Sequence, residues 1–315
     1  MDFFAVFERM VALFLIIVIG YGIRRAKVIG TEGRGILTKL VMNVSLPGTI
    51  LSAVMNANSL PESKELLFIV LVALLSYVIL FAFAFVTPKL LRVKTNQAGI
   101  YRFMMAFGNV GFIGYPVIEA IFGTDAVFYT SIFNMPFNLL CFSVGAIFVK
   151  QSSKGAVDRK EKWDAKKWKS ILLTPSMIAS VISVTMAFAR LSAPAWISST
   201  ASMVGGVTTP VALLVIGMAL AEMPAKEMFS NPRIYLFSAL RLLVLPMATF
   251  LIFRLFVSDP LLLGICTVIA AMPVATSGTM LCMQYDSDEK LMAQGTFIST
   301  LFAILTIPVV ALLVR

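Results

Sequence analysis

Histidine is absent from all 315 residues. That removes the commonest general base, metal ligand and proton relay at neutral pH. The side chains left to do chemistry are amides, hydroxyls and a few charges in apolar surroundings. Asn109 stands among Gly108, Gly111 and Gly114, seven residues before Pro116. Its amide can donate to a carboxylate, or it can cap a break in a helix. Thr276, Ser277 and Gly278 follow Pro273 and can line the other side of such a site; their hydroxyls can equally bond their own helix carbonyls. Asn134 and Asn138, four apart, share one helix face, where amides either touch a substrate or join helices. Asn43, four residues before Pro47, has the same two uses. Arg241 lies eight residues beyond Arg233, ~12 Å into an apolar run by helix rise. At that depth it neutralises an anion or a coupling carboxylate, or it extends its head group to the interface.

Acids are scarcer. Glu119 and Asp125 fall toward one end of their apolar runs and Glu222 at the end of another, and none falls at a run's centre. Coupling then runs through a peripheral acid, through sodium or through the membrane potential alone, which gives an exported anion about 2.3 kcal/mol per charge per 100 mV. Asp286, Asp288 and Glu289 form the one acidic cluster; such a group can hold Mg²⁺, but in a short loop without partners it reads as a solvated turn. Cys141, Cys266 and Cys282 sit in apolar runs without CxxC spacing and read as packing residues, so neither a disulfide nor a metal site is expected.

The elements that must position these groups follow from composition. Apolar residues make up 59% of the chain, charged residues 13%, and mean hydropathy is +0.92. A soluble protein carries about a quarter charged residues, so this chain is an integral membrane protein. Ten apolar stretches approach the roughly 20 residues that a spanning helix needs: 3–23, 36–56, 66–88, 99–122, 125–149, 170–190, 197–221, 233–257, 260–284 and 290–314. They lack the alternation of porin strands, so an all-α architecture is expected. Arg24, Arg25 and Lys27 follow the first stretch directly, as in an anchored span rather than a cleaved signal. Basic residues crowd the loops at 24–35, 89–98 and 150–169, while 57–65, 123–124, 191–196 and 258–259 hold almost none. The positive-inside rule places the rich loops in the cytoplasm and both termini outside, in a multi-pass protein of the cell membrane. The net charge of +10 is thereby explained without nucleic acid. Trp163 and Trp168 among the lysines of 150–169 suggest a short interfacial helix.

The halves on either side of that linker resemble each other. Span 2 carries Pro47 and span 7 Pro210; span 4 carries Pro116 and span 9 Pro273; the intervals are 69 and 63 residues. Two similar halves of five spans each must lie in opposite orientation, so residues 1–149 and 170–315 read as inverted repeats joined by 150–169. Prolines and glycines at matched positions predict interruptions in the second and fourth spans of each half, with spans 4 and 9 crossing as broken helices. Unwound backbone is tolerated in a membrane only against a cavity or another helix. Half-helix N-termini meeting there would make an uncharged anion receptor.

In the order of these motifs the chain resembles the auxin efflux carrier family, which includes plant PIN-type carriers and many prokaryotic members. The resemblance covers nearly the whole chain. It rests on N-x-x-x-x-G-x-P from Asn109 through Gly114 to Pro116, and on Ala271-Met272-Pro273. It extends to Ile216-Gly217-Met218-Ala219-Leu220-Ala221 and to the run from Tyr285 through Leu291 and Phe297 to Pro308. It implies a crossed-helix fold with a scaffold domain and a mobile transport domain, carrying small organic anions by an elevator-like motion. Where PIN-type carriers have Asn-Pro-Asn at the start of span 6, this chain has Thr174-Pro175-Ser176. The exchange keeps hydroxyl hydrogen bonding and removes two amides, which turns the expectation from auxin toward dicarboxylates such as malate or malonate. The partners expected are a small carboxylate, a coupling ion (H⁺ or Na⁺), the lipid bilayer and a second copy of the chain; no cofactor is expected. Two other readings compete: a membrane-embedded lipid-modifying enzyme, which metal-dependent activity would favour, and an anion channel, which flux without saturation or counterflow would favour.

Overall fold

A computed structural model describes residues 3–56, 62–153, 173–222 and 229–314. The interfacial helix expected around Trp163 and Trp168 lies outside the described residues. Within them the chain is helical, with one isolated bridge in place of strands. In chain order the helices are α1 (Phe3–Arg25), α2 (Thr31–Leu40), α3 (Leu46–Met55), α4 (Ser63–Leu90), α5 (Thr95–Ala106), α6 (Tyr115–Phe122), α7 (Asp125–Leu140) and α8 (Ala146–Lys150). They continue with α9 (Pro175–Ala189), α10 (Ala195–Gly205), α11 (Thr208–Ala221), α12 (Pro232–Ala239), α13 (Leu245–Phe253), α14 (Pro260–Ala270), α15 (Ser277–Gln284) and α16 (Glu289–Leu313). Among the described residues, six helical stretches are long and apolar enough to cross a membrane: Thr31–Met55, Lys64–Leu90, Asp125–Lys150, Ala195–Ala221, Pro232–Phe253 and Glu289–Leu313. Val110–Phe122, Met177–Ala189 and Pro260–Ala270 are apolar but shorter.

Their outer faces suit hydrocarbon. On α4 the exposed stripe is Leu67, Leu71, Leu74, Val78 and Phe85, at helical spacing, and Leu255, Met203 and Trp196 are 81%, 78% and 73% exposed. In water such faces would drive aggregation; in lipid they are the favourable solution.

The prolines act differently from the expectation. Pro47, Pro116 and Pro246 each occupy the second position of a helix that follows a π-helical turn: Val41–Ser45, Val110–Gly114 and Leu240–Val244. Proline lacks the donor and displaces the carbonyl four residues back. The wider turn absorbs that displacement: the Leu46 and Leu245 N–H groups reach five residues back, to Val41 and Leu240. Span 2 is therefore widened at Pro47 and not interrupted. Span 7 has only a two-residue turn at Gly206–Val207, and Pro210 sits in the first turn of α11, where the missing N–H has no intrahelical partner to lose. The backbone opens in spans 4 and 9. In span 4 it opens at Phe107–Asn109, seven residues ahead of Pro116 at the nearest point, and in span 9 at Ala271–Thr276, around Pro273.

The chain divides into two compact units. Unit 1 comprises Met1–Ala73, Gly111–Met135 and Leu172–Met223; unit 2 comprises Leu74–Val110, Pro136–Ile171 and Pro224–Arg315. In unit 1, α1 packs along α11 and α3 packs against α9 and α10. The α1–α11 contact is backbone to backbone. A Cβ on Gly217 would overlap the Ile17 carbonyl, and one on Gly20 the Leu214 carbonyl. Buried hydroxyls join the other helices: Thr49 Oγ1 donates to the Gly205 carbonyl (2.9 Å), and Ser183 Oγ to the Ile50 carbonyl (3.3 Å). Glu222, just beyond α11, accepts from Arg24 and Arg34, each at 2.9 Å. In unit 2, α16 packs against α5, α12, α14 and α15.

Candidate functional site

Two openings of unit 2 meet. α5 ends at Ala106 and α14 at Ala270. The 12 residues of α5 rise about 18 Å before the opening. Gly108 and Val274 form an antiparallel bridge. The Asn109 N–H donates to the Pro273 carbonyl at 2.7 Å, and the Ala275 N–H to the Phe107 carbonyl at 3.0 Å. The Val274 N–H donates to Ser299 Oγ of α16 at 3.0 Å. Each opening thus supplies hydrogen bonds the other has lost by leaving the helix, which lets extended backbone persist in an apolar interior. Ring packing fixes the place: Phe107 lies 5.0 Å from Phe103 between centroids, with Phe137 and Phe81 edge-on at 6.0 and 6.1 Å.

The Ser299 bond yields a direct prediction. Ser299 is fully buried, so Ser299→Ala leaves the Val274 N–H without an acceptor, a cost of about 1–3 kcal/mol. Thermal unfolding of the detergent-solubilised variant is expected to shift down by several degrees, and Ser299→Thr, which keeps the hydroxyl, is expected to restore most of it.

Arg241 is the charge beside the crossing. It lies within the π-helical turn Leu240–Val244 and is 1% exposed. Its Nη1 donates to the Met105 carbonyl at 2.8 Å. That carbonyl belongs to the last turn of α5; the N–H four residues on is Asn109's, which bonds Pro273 instead. The guanidinium therefore caps the negative end of a half-helix. It forms no ion pair among the described residues, and its Nε has no hydrogen-bond partner there. Nη2 lies against Gly108, where a Cβ would overlap it.

The remaining expected residues divide between the units. In unit 2, Asn109 is 3% exposed, Pro273 and Gly278 are buried, and Thr276 and Ser277 are half-buried. With Arg241 they gather around the crossing. In unit 1, Gly111 opens onto free space, while Gly114 and Pro116 are buried. Asn134 is buried, and its amide faces the Tyr115 hydroxyl without reaching hydrogen-bond geometry. Asn43 is exposed on its π-helical turn. Thr174 precedes α9 with its hydroxyl buried and making no cap bond. Asn138 and Ser176 lie in α7 and α9, their side chains outside the described set.

Sequence reasoning passed over three contributors. Cys141, read as packing, places Sγ 3.4 Å from Ser277 Oγ. It opens the π-helical turn Cys141–Gly145, and no proline follows to signal that turn. Ser299 supplies the acceptor described above; the polar run Thr296, Ser299 and Thr300 in an apolar span was the available sign. Met105 contributes only a carbonyl, which no residue type could advertise.

The acidic cluster has other employment. Asp288 caps α16 by accepting from the Leu291 N–H at 2.9 Å, and it accepts from Gln97 at 3.3 Å. With Asp286, Glu289, Asn96, Gln97, Ser152, Ser287 and Lys290 it lines a cleft of about 600 Å³, none of whose walls belongs to the crossing. Among the described residues no three metal-ligating side chains converge.

Comparison with known proteins places the chain among membrane transporters. The chain is 24% identical over 301 residues to an uncharacterized transporter of Methanocaldococcus jannaschii, covering 93% of this chain and 94% of that protein. It is 22% identical over 302 residues to an uncharacterized transporter of Methanothermobacter thermautotrophicus, covering 96% of each. The family described as membrane transport protein matches residues 5–311. This multi-pass membrane protein therefore belongs to the membrane transport protein family, that of the auxin efflux carriers.

Proposed function

We propose that the protein is a secondary carrier of small organic anions, carboxylates of malate or malonate size, which bind where the openings of spans 4 and 9 cross. The observation that carries this reading is the bonded crossing itself. Backbone taken out of two helices in an apolar interior, with Asn109, Thr276 and Ser277 beside it and a buried cation alongside, is a site built for a polar, negatively charged guest. Asn109 donates to the carboxylate; the Thr276 and Ser277 hydroxyls face it. Asn134, Asn138, Asn43, Gly111, Gly114, Pro116, Thr174 and Ser176 are assigned to the path or to its supports.

Around this site we place ten spans in two inverted five-helix repeats, residues 1–149 and 170–315, with both termini outside and the 150–169 linker in the cytoplasm. The short helices complete crossings by pairing across the openings. The make-up of the compact units supports the repeat. Unit 1 takes the first two spans of each half, and the match ends there: Gly111–Met135 also joins unit 1, while the whole of Pro224–Arg315 falls in unit 2. Alternating access is then an elevator-like displacement of the unit that holds the crossing. A proton, sodium or the membrane potential drives it, in a protein that pairs with a second copy.

The test is uptake of labelled malate, malonate and an indole acid into proteoliposomes, with and without imposed pH and sodium gradients. Saturable uptake of a carboxylate with counterflow is expected. Linear, non-exchanging flux would establish a channel instead, and absence of uptake for every carboxylate tested would overturn the reading.

A further inference from the structure

We propose that Arg241 offers the Nε–Nη2 edge of its guanidinium as a two-point clamp for one substrate carboxylate, and that residue 108 is glycine because that edge needs the room. The inference rests on the anion-carrier reading above and names the group that reads the charge.

The hydrogen bonds of Arg241 divide its guanidinium. Nη1 is committed to the Met105 carbonyl. Nε is buried and unpaired, and Nη2 adjoins Gly108. The Nε–H and the neighbouring Nη2–H point the same way, at the spacing of the two oxygens of a carboxylate, and both bonds can form in one plane. An isolated charge buried without a carboxylate costs several kcal/mol. The end of α5 offers it only about half an elementary charge, so a full anion is the complement still missing. The position next to Gly108 matters because Gly108 is the bridge residue of the crossing and precedes Asn109. A carboxylate on this edge therefore lies beside the crossing without displacing the Met105 bond. A methyl group at 108 would occupy the place of Nη2 and turn the edge away.

A purely structural Arg241 would cap α5 and do nothing else, and the two roles separate experimentally. Arg241→Lys keeps the charge and one donor for Met105 but has no fork. Gly108→Ala keeps the arginine and obstructs the edge. Binding of radiolabelled malonate to the purified full-length protein in detergent is measured alongside the melting temperature of each variant. For both variants we expect malonate affinity to fall ten-fold or more, with melting temperatures close to wild type. Malonate is expected to stabilise the wild-type protein against heat, and its uncharged diamide is not. If Arg241→Lys and Gly108→Ala bind malonate as wild type does while Asn109→Ala loses it, the clamp is wrong and the carrier site stands. If the wild-type protein binds no malonate, malate or indole acid, the carrier reading falls and the clamp with it. Should Arg241→Lys fail to fold, Gly108→Ala decides, since it leaves the cap on Met105 available.

Discussion

Replacing Asn109 with alanine is expected to lower carboxylate uptake by roughly 10- to 150-fold, the range set by ~1.5–3 kcal/mol for a hydrogen bond to a charged group. The fold should survive the change. Asn109 holds the crossing through its backbone N–H to the Pro273 carbonyl, and the flanking bond from Ala275 to Phe107 is also backbone. Alanine keeps that N–H, and its smaller side chain makes no new demand in a site where Asn109 is 3% exposed. Asn109→Asp makes the sharper comparison. It is nearly isosteric but sets a negative charge where the anion binds, and it is expected to reduce uptake further than alanine does. Both are read as initial rates of labelled malate uptake in proteoliposomes, normalised to reconstituted protein, with melting curves run in parallel. Uptake by Asn109→Ala equal to wild type would remove the crossing from the binding site.

The second large effect falls on unit 1 and on folding. Gly217→Leu is expected to destabilise the protein by about 1–3 kcal/mol or more, the usual cost of inserting side-chain atoms where none fit. The reason lies in how α1 meets α11. With no side chain at Gly217 or Gly20, the two backbones approach until the Ile17 carbonyl occupies the place of a Cβ on residue 217. Helices in lipid gain no hydrophobic drive from association and depend on such close packing. A leucine forces the pair apart along its length, and the close approach of Gly20 to the Leu214 carbonyl is lost with it. Gly217→Ala should fall between wild type and leucine. The measurement is the monodisperse fraction by size-exclusion chromatography together with the melting temperature. A Gly217→Leu protein that elutes and melts like wild type would show that this contact is not what holds the unit.

Much of this architecture was legible without coordinates. Few charges, no histidine and long apolar runs sufficed for a helical membrane protein, because hydrocarbon leaves backbone groups no partner except one another. Prolines and glycines at matched positions marked spans 2, 4, 7 and 9 as disturbed but gave no warning of the π-helical turns at Cys141–Gly145 and Leu240–Val244. What each proline does was not legible. Pro47 and Pro246 follow wider turns within continuous helices, because each helix can satisfy its own displaced carbonyls by reaching five residues back. The openings at Phe107–Asn109 and Ala271–Thr276 exist because each finds its missing partners on the other, 164 residues away in the Asn109–Pro273 bond.

Arg241 marks the same boundary. From composition and helix rise, the chain determines that a cation lies deep in an apolar run. Depth along a helix axis does not say what covers the side chain. Only the tertiary structure decides that the guanidinium meets the Met105 carbonyl and the bare face of Gly108. Likewise the sequence alone established a helical, membrane-spanning chain, since burial of apolar surface and local hydrogen bonding are properties of residue type and spacing. The bridge at Gly108 and Val274, the acceptor at Ser299 and the contact of Cys141 with Ser277 were decided by folding. A hydrogen bond between distant segments depends on angles and distances of a few tenths of an ångström, which residue order does not carry.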